Sequence, residues 1–167
     1  DKIQSDLSSH LTKEQTHYVK DVMRLKIGDK LFIFNTLGEW TAVIESYEKN
    51  GAKIKIMEKV RNKDNEKNIW LAFSPIKQNS LNFIIQKSTE LGVQRFIPIL
   101  SERTIVREIN IKRIKKIIIE SSEQSNRITV PEINKIESLK NFLSKFPKNG
   151  YLIFCDINSN QNSLKKV

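Results

Sequence analysis

The chain has 167 residues, of which 29 are Lys or Arg and 19 are Asp or Glu, so its formal net charge is +10 and its pI is near 9.7. This length allows one ordinary domain or two small ones, and a hydrophobic content of 38% excludes a disordered basic tail. No uninterrupted apolar run approaches the roughly 20 residues of a membrane span, and the single cysteine excludes an internal disulfide, so we expect no membrane partner and a cytoplasmic location.

The first predicted element is a helix. Thr12 and Gln15 have the spacing of a capping box, with Thr12 as N-cap and Gln15 at the third helical position. The pattern therefore predicts a helix that runs to about Leu25. Its predicted apolar face consists of Tyr18, Val19, Val22 and Met23.

Three apolar-rich runs follow, separated by turn residues at 35–38 and 48–51. The runs are Lys30–Phe34, Glu39–Tyr47 and Ala52–Val60. In the third run apolar residues alternate with lysines, which predicts one buried and one solvated face. We expect an antiparallel meander folded as a small barrel or curled sheet. The following stretch, 61–68, has no apolar residue, so we place a domain boundary after Glu66, with domains 1–66 and 67–167.

Strands and helices alternate beyond that boundary, which predicts a mostly parallel α/β sheet. The predicted segments are a strand at Ile69–Phe73, a helix through Leu81, Ile84 and Ile85 that ends at Gly92, a strand at Val93–Leu100, a helix capped by Asn110, a short helix at Leu139–Phe146 and a strand at Tyr151–Cys155. Ligands of such sheets bind beyond the carboxyl ends of the strands. The loops Ser74–Lys77, Ser101–Thr104 and Asp156–Asn162 are therefore candidates for a site, whereas Cys155 is expected to be a buried apolar side chain.

The positive charge is concentrated in the second part of the chain. Residues 1–66 hold 12 basic and 11 acidic side chains, whereas residues 67–167 hold 17 and 8. This asymmetry favours nucleic acid as a partner, although lysine-rich composition alone could also account for it. Arginine, with its planar fork of donors, is the more informative residue, and Arg24, Arg103 and Arg127 are the candidates.

Three polar groups could carry chemistry. Lys87 and Glu90 are three residues apart on a predicted helix, and a simple surface ion pair is the commoner outcome of that spacing. The segment 101–104 is either a site or a solvated loop. The segment 123–127 ends a helix, where its amides and carboxylate could bind a base edge while Arg127 neutralises a phosphate. His10 and His17 have no catalytic partner nearby in the sequence.

The order of several short motifs resembles the RsmE-type 16S ribosomal RNA uracil-N3 methyltransferases over nearly the whole chain. The motifs are Arg24-Leu25-Lys26-Ile27-Gly28-Asp29, Gln86-Lys87-Ser88-Thr89-Glu90-Leu91-Gly92-Val93, Pro98, Ser101-Glu102-Arg103, and Glu123-Gln124-Ser125-Asn126-Arg127 followed by Val130-Pro131-Glu132-Ile133. The resemblance implies an N-terminal PUA-like β-barrel, a SPOUT-type α/β domain with a C-terminal knot, S-adenosylmethionine as cofactor, 16S rRNA of the small ribosomal subunit as partner, and a homodimer.

The resemblance also implies roles for individual residues. Arg24, Lys26, Lys87 and Arg103 would bind RNA, and Glu123, Gln124 and Arg127 would be catalytic. Asp156 is a weak candidate for contact with the cofactor, whose main site is expected beyond Val167. The proton acceptor stays open between Glu102, Glu123 and water.

The sequence departs from the family pattern at its end. The glycine-rich Gly-Pro-Glu-Gly-Gly loop of the knot and the later Leu-Arg-Thr-Glu-Thr segment do not occur in it before Val167, and residue 1 is Asp. We therefore expect a piece of a longer enzyme that binds cofactor poorly by itself. The alternative function is a non-catalytic, basic RNA-binding or ribosome-assembly module.

Overall fold

The structure is a computed structural model, and it describes residues 7–63 and 66–155. The first domain is a four-stranded antiparallel sheet with the order β1-β4-β3-β2. Its strands are β1 (Ser8–His10), β2 (Lys30–Asn35), β3 (Gly38–Glu48) and β4 (Gly51–Asn62). The meander is thus confirmed. Its edge strands β1 and β2 do not pair with each other among the described residues, so closure into a barrel stays a prediction.

The alternation of side chains in β4 has the predicted effect. Ala52, Ile54 and Ile56 are buried, while Lys55 between them is exposed. Strand β1 was not predicted, because three polar residues carry no hydrophobic alternation; it pairs with β4 at the register Ser9 to Ile54.

The predicted helix begins as expected but changes its winding. Thr12 caps α1 (Lys13–His17), and both hydrogen bonds of the capping box are present. A π-helical turn follows over Tyr18–Val22, in which the Met23 amide donates to the Tyr18 carbonyl at 2.9 Å. The wider turn rotates later residues away from the positions that a 3.6-residue period assigns to them. Of the predicted apolar face only Val19 is buried, so the prediction is wrong for Tyr18, Val22 and Met23.

The second domain contains the predicted parallel sheet. Its elements are β5 (Trp70–Phe73), α2 (Gln78–Glu90), β6 (Arg95–Leu100), α3 (Ile111–Gln124), β7 (Glu132–Ile133), β8 (Glu137–Ser138) and α4 (Leu139–Ser144). Strand β6 is central and pairs in parallel with β5 on one side and with β7 and β8 on the other. Helices α2 and α3 pack against this sheet through a core formed by Leu81, Ile85, Phe96, Ile114 and Ile118.

Both long helices end in the same way. The chain leaves α2 through Gly92, whose φ is +96°, and the Val93 amide donates back to the Ser88 carbonyl at 3.0 Å. It leaves α3 through Asn126, whose φ is +61°, and the Arg127 amide donates back to the Ser122 carbonyl at 2.9 Å. These are Schellman motifs, which satisfy the last carbonyls of a helix and turn the chain sharply.

The segment 151–155 departs from its prediction. These residues, the last that the structure describes, form no strand, and the side chains of Ile153 and Phe154 are 58% and 78% exposed. Cys155 is exposed too, so its predicted burial is wrong. A strand needs a neighbouring strand to hydrogen-bond to, and an apolar run alone does not supply one. The predicted loop Asp156–Asn162 and the rest of the chain to Val167 lie outside the described residues.

Candidate functional site

The carboxyl edge of the second sheet brings two predicted loops together. Ser74 follows β5 and Ser101 follows β6, and their hydroxyl oxygens lie 3.5 Å apart. Thr104, which is buried, joins them: its hydroxyl oxygen lies 2.9 Å from that of Ser101 and also accepts from the Ser101 amide at 2.9 Å. The turn 101–104 is therefore a closed, hydrogen-bonded structure at the edge where parallel sheets bind ligands.

Glu102 and Arg103 occupy the exposed tip of this turn. The hydrogen bonds on either side of them fix the backbone that carries their side chains. A carboxylate and a guanidinium held in this way can accept a proton and bind a phosphate, respectively. The predicted RNA contact of Arg103 is consistent with this exposure and stays a prediction.

The opposite, amino edge of the sheet contains a buried ionic network around Arg127. The Arg127 side chain is only 7% exposed. Its Nη1 donates to the carbonyl oxygens of Thr89 and Val93 at 2.6 and 2.9 Å, where a cation meets the negative end of α2. Its Nε and Nη2 donate to the carboxylate of Glu66 at 3.2 and 2.5 Å, and Nη2 also faces the Thr129 hydroxyl at 3.3 Å.

This geometry corrects one expectation about Arg127. All five guanidinium N–H groups point at acceptors inside the chain, so the predicted contact with an RNA phosphate does not fit the structure. A catalytic role for Arg127 stays a prediction, and the structure favours a role through positioning rather than through direct contact.

Glu66 is the residue that sequence reasoning missed. It belongs to the polar stretch 61–68, where the sequence indicates a domain boundary, yet its side chain is only 18% exposed. Burial alone would raise the pKa of this carboxyl, but hydrogen bonds from Arg127 and Thr129 and the charge of Arg127 lower the pKa below its ordinary value. The carboxylate is therefore held in its charged form. A lone glutamate in a polar stretch gives no periodic signal that could have revealed this.

Glu123 and Gln124 form the last turn of α3, also at the amino edge, and both are exposed. Partial desolvation raises the pKa of the Glu123 carboxyl, and the negative charge of Glu120 one turn earlier raises it further. A carboxylate with a raised pKa is a better proton acceptor near neutral pH than an ordinary one. Their catalytic roles stay predictions.

The three remaining RNA-binding predictions fall on exposed residues. Lys87 makes the predicted ion pair with Glu90, at 2.7 Å. Arg24 has a φ of +58°, a left-handed conformation at the end of the π-helical turn, and Lys26 follows it in the turn that leads to β2. The Lys26 amide donates to Asp29 at 2.7 Å, which fixes this turn. RNA binding by Lys87, Arg24 and Lys26 stays a prediction.

The predicted cofactor contacts are not covered by the structure. Asp156 lies outside the described residues, which end at Cys155, and so does every position from there to Val167. The main cofactor site, expected beyond Val167, therefore stays a prediction as well.

The predicted site residues of the second domain thus fall into two groups. Arg103 lies at the carboxyl edge, whereas Lys87, Glu123, Gln124 and Arg127 lie at the amino edge. Strand β6 separates the edges by six residues of about 3.3 Å each, so the groups are about 20 Å apart. Within the described residues of one chain, the two groups therefore do not meet at the same base.

Two grooves accompany these edges. A groove of about 360 Å³ lies between α3 and β7, lined by Ile118, Ile119 and Val130 among others. A second, of about 170 Å³, lies at the amino edge between Thr36 of the first domain and Trp70, whose ring is covered by Arg95 at 4.7 Å. Neither groove reaches the carboxyl-edge hydroxyls.

Fold and site together define a class: a small antiparallel β domain followed by a parallel α/β domain whose carboxyl edge carries a fixed polar loop. The sequence matches agree with this division. Residues 11–57 match the RNA methyltransferase PUA domain and residues 63–167 match the RNA methyltransferase domain. The chain belongs to the RNA methyltransferase family.

Individual relatives are similar over most of the chain. The ribosomal RNA small subunit methyltransferase E of Rickettsia conorii is 34% identical over 153 residues, which are 90% of this chain and 62% of that protein. The structure of the Neisseria gonorrhoeae ribosomal RNA small subunit methyltransferase E bound to S-adenosyl methionine matches with a TM-score of 0.85 and 29% identity, over 95% of this chain and 68% of that one. A Legionella pneumophila methyltransferase in complex with the same cofactor has a TM-score of 0.83 and 28% identity, over 95% and 69%. The chain thus spans about three fifths of the Rickettsia protein's length.

No helix among the described residues is long and apolar enough to cross a membrane.

Proposed function

We propose that this chain is the larger part of an enzyme that transfers a methyl group from S-adenosylmethionine to N3 of a uridine in the 16S RNA of the small ribosomal subunit. The observation that carries the proposal is the structural match to a cofactor-bound small-subunit RNA methyltransferase over 95% of the chain, with both domains aligned. The N3 position comes from the motif resemblance alone.

The same resemblance supports further parts of the proposal: a closed PUA-like barrel in domain 1–66, a knotted SPOUT-type domain from residue 67, a homodimer and a cytoplasmic location. The residues proposed to hold RNA are Arg24, Lys26, Lys87 and Arg103. Glu123 and Gln124 are proposed to orient the base, and Arg127 to act by holding the helix end that carries Glu123. Asp156 is proposed to lie near the cofactor, with the main cofactor site beyond Val167.

The chemistry requires three things of the protein: removal of the N3 proton, alignment of the base, and positive charge for the phosphates. Glu102 and Glu123 are the two candidate proton acceptors among the described acidic residues of the two edges, and water is the third possibility. When bound, the sulfonium cofactor would supply the methyl group as an electrophile.

A second function is a non-catalytic RNA-binding or assembly module, which the 17 basic against 8 acidic side chains of residues 67–167 would also support. The test uses the full-length protein, S-adenosylmethionine with a labelled methyl group, and purified small subunits that lack the modification. We expect label in N3-methyluridine after digestion and chromatography. RNA binding without any transfer would support the binding module instead, and RNA affinity that does not fall with added salt would remove the phosphate contacts from either proposal.

A further inference from the structure

We propose that Glu66 is a positioning residue: acting through Arg127, it fixes the first domain against the amino edge of the second. Its consequence for RNA methylation rests on the proposed function, whereas the geometry does not. Without such a device, relative motion of two small domains joined by a polar connection is the expected behaviour.

Residues 61–66 connect the two domains in the sequence, and Glu66 attaches this connection to the second domain shortly before β5. One carboxylate oxygen of Glu66 accepts from Arg127 Nε at 3.2 Å. The other accepts from Arg127 Nη2 and from the Thr129 hydroxyl, both at 2.5 Å, and from Gln94 Nε2 at 3.2 Å. A two-point contact between guanidinium and carboxylate restricts direction as well as distance.

Arg127 in turn is anchored to rigid elements. Its backbone closes the Schellman motif of α3, and its Nη1 is bound to the carbonyls of Thr89 and Val93 at the end of α2. The position of Glu66 is therefore defined relative to both long helices of the second domain.

The connection is attached a second time where it leaves β4. Arg61 donates from Nη2 to the carbonyl oxygen of Asn126 at 2.7 Å, and its Nε lies 3.3 Å from the carboxylate of Glu39 in β3. Asn126 immediately precedes Arg127, so both attachments reach the same turn at the end of α3. The connection between residues 61 and 66 is thus held at both ends against one turn.

For the proposed enzyme, this arrangement sets the distance between the first domain and the α/β domain. RNA held by Arg24 and Lys26 would then reach the second domain in one register only. A connection without these attachments would allow many positions of the bound RNA relative to the second domain. Only a fraction of those positions would be productive for methyl transfer.

The experiment measures the distance between the domains in this chain. Cys155 is replaced by Ser, and spin labels are attached to cysteines introduced at Lys49 in the β3–β4 turn and Lys112 in α3, both exposed. The width of the distance distribution is compared in the wild type, Glu66→Ala and Glu137→Ala. Glu137 is the matched control, because it is 19% exposed and pairs with Lys145 at 3.2 Å within the second domain alone.

We expect one narrow distribution in the wild type and the control, and a distribution about twofold broader in Glu66→Ala, since the connection is then held only at its Arg61 end and the domains move more freely relative to each other. A narrow distribution in a folded Glu66→Ala protein would overturn the proposal and leave Glu66 a role in stability only. Should Glu66→Ala not fold, Glu66→Gln, which keeps an acceptor but loses the charge, gives the same comparison. If the full-length wild type transfers no methyl group, the proposed function fails, while the distance measurement still decides this inference.

Discussion

The hydroxyl of Thr104 accepts a hydrogen bond from the amide of Ser101 at 2.9 Å, and the two hydroxyl oxygens are also 2.9 Å apart. This pair closes the turn that presents Glu102 and Arg103 at the carboxyl edge. Thr104 is buried, so little of its side chain is open to solvent. The Thr104 side chain thus holds the turn that carries Glu102 and Arg103.

Replacing Thr104 by Val keeps the shape of the side chain but removes the hydroxyl. We expect the free energy of unfolding to fall by about 1–3 kcal/mol, because the Ser101 amide loses its acceptor in a partly buried place. Urea denaturation measures the change. Thr104→Ser keeps the hydroxyl and should retain most of the hydrogen-bond contribution; equal stability of wild type and Thr104→Val would show that water replaces the lost acceptor.

Replacing Arg127 by Met removes the guanidinium and keeps most of the side-chain volume. Breaking a buried ion pair costs about 3–5 kcal/mol, because Glu66 is left charged without its partner. We therefore expect the free energy of unfolding, measured by urea denaturation, to fall by that amount. Lys116→Met is the control: its ion pair with Glu120, at 3.7 Å, is exposed, and exposed pairs contribute about 1 kcal/mol or less. Similar losses in both variants would contradict the buried network.

The charge of Glu66 also predicts that the free energy of unfolding depends on pH. Its pKa is lowered in the folded state from the ordinary value of 4.5, so the stability it contributes is present above that value and is lost as the pH falls through the folded-state pKa. The wild type should therefore exceed Glu66→Gln in free energy of unfolding at about pH 7, and the difference should shrink toward about pH 3. Other carboxylates titrate in both proteins, so their contributions cancel when the two free energies of unfolding are subtracted. A constant difference across that range would mean that the charge of Glu66 does not matter.

Much of the fold could be predicted because its signals are local. The capping box at Thr12 and the cap at Asn110 form as expected, and the alternation in β4 gives the buried face. Gly92 ends α2 with a left-handed φ, and the presence of a glycine at this position is what predicts the end of the helix. Each of these features depends on neighbours within a few residues, so its physical cause is contained in the local sequence.

The errors concern interactions between distant segments. Nothing near Tyr18 in the sequence announces a π-helical turn, and the apolar character of Ile153 and Phe154 does not reveal whether a neighbouring strand is present. Glu66 and Arg127 meet across 61 positions, a contact that no periodic pattern encodes. The same limit applies to the candidate site: the sequence gives the segments 101–104 and 123–127 as separate polar groups without their distance, and the parallel topology places them at opposite edges of the sheet.

The two candidate proton acceptors lie at opposite edges of the sheet, so separate substitutions distinguish between them. In the full-length enzyme, Glu102→Gln removes the candidate at the carboxyl edge and Glu123→Gln the candidate at the amino edge. Loss of a general base lowers turnover by about 10²–10⁴-fold, so one variant should be strongly impaired while the other stays near wild type. Turnover under saturating RNA and cofactor is the measurement. Equal, small effects in both would leave water as the acceptor.

Glu120→Gln distinguishes a base at Glu123 from a residue that only supports the fold. The negative charge of Glu120 helps to raise the pKa of Glu123, so its removal should lower that pKa. If the carboxylate of Glu123 accepts the proton, activity requires its charged form, and the acidic limb of the pH–rate profile should move to lower pH in Glu120→Gln. Glu108→Gln, an exposed change on the segment before α3, serves as the control and should leave the limb in place. An unmoved limb in Glu120→Gln would remove Glu123 from proton transfer and leave two candidates for the acceptor: water, and Glu102 on the turn that Thr104 closes.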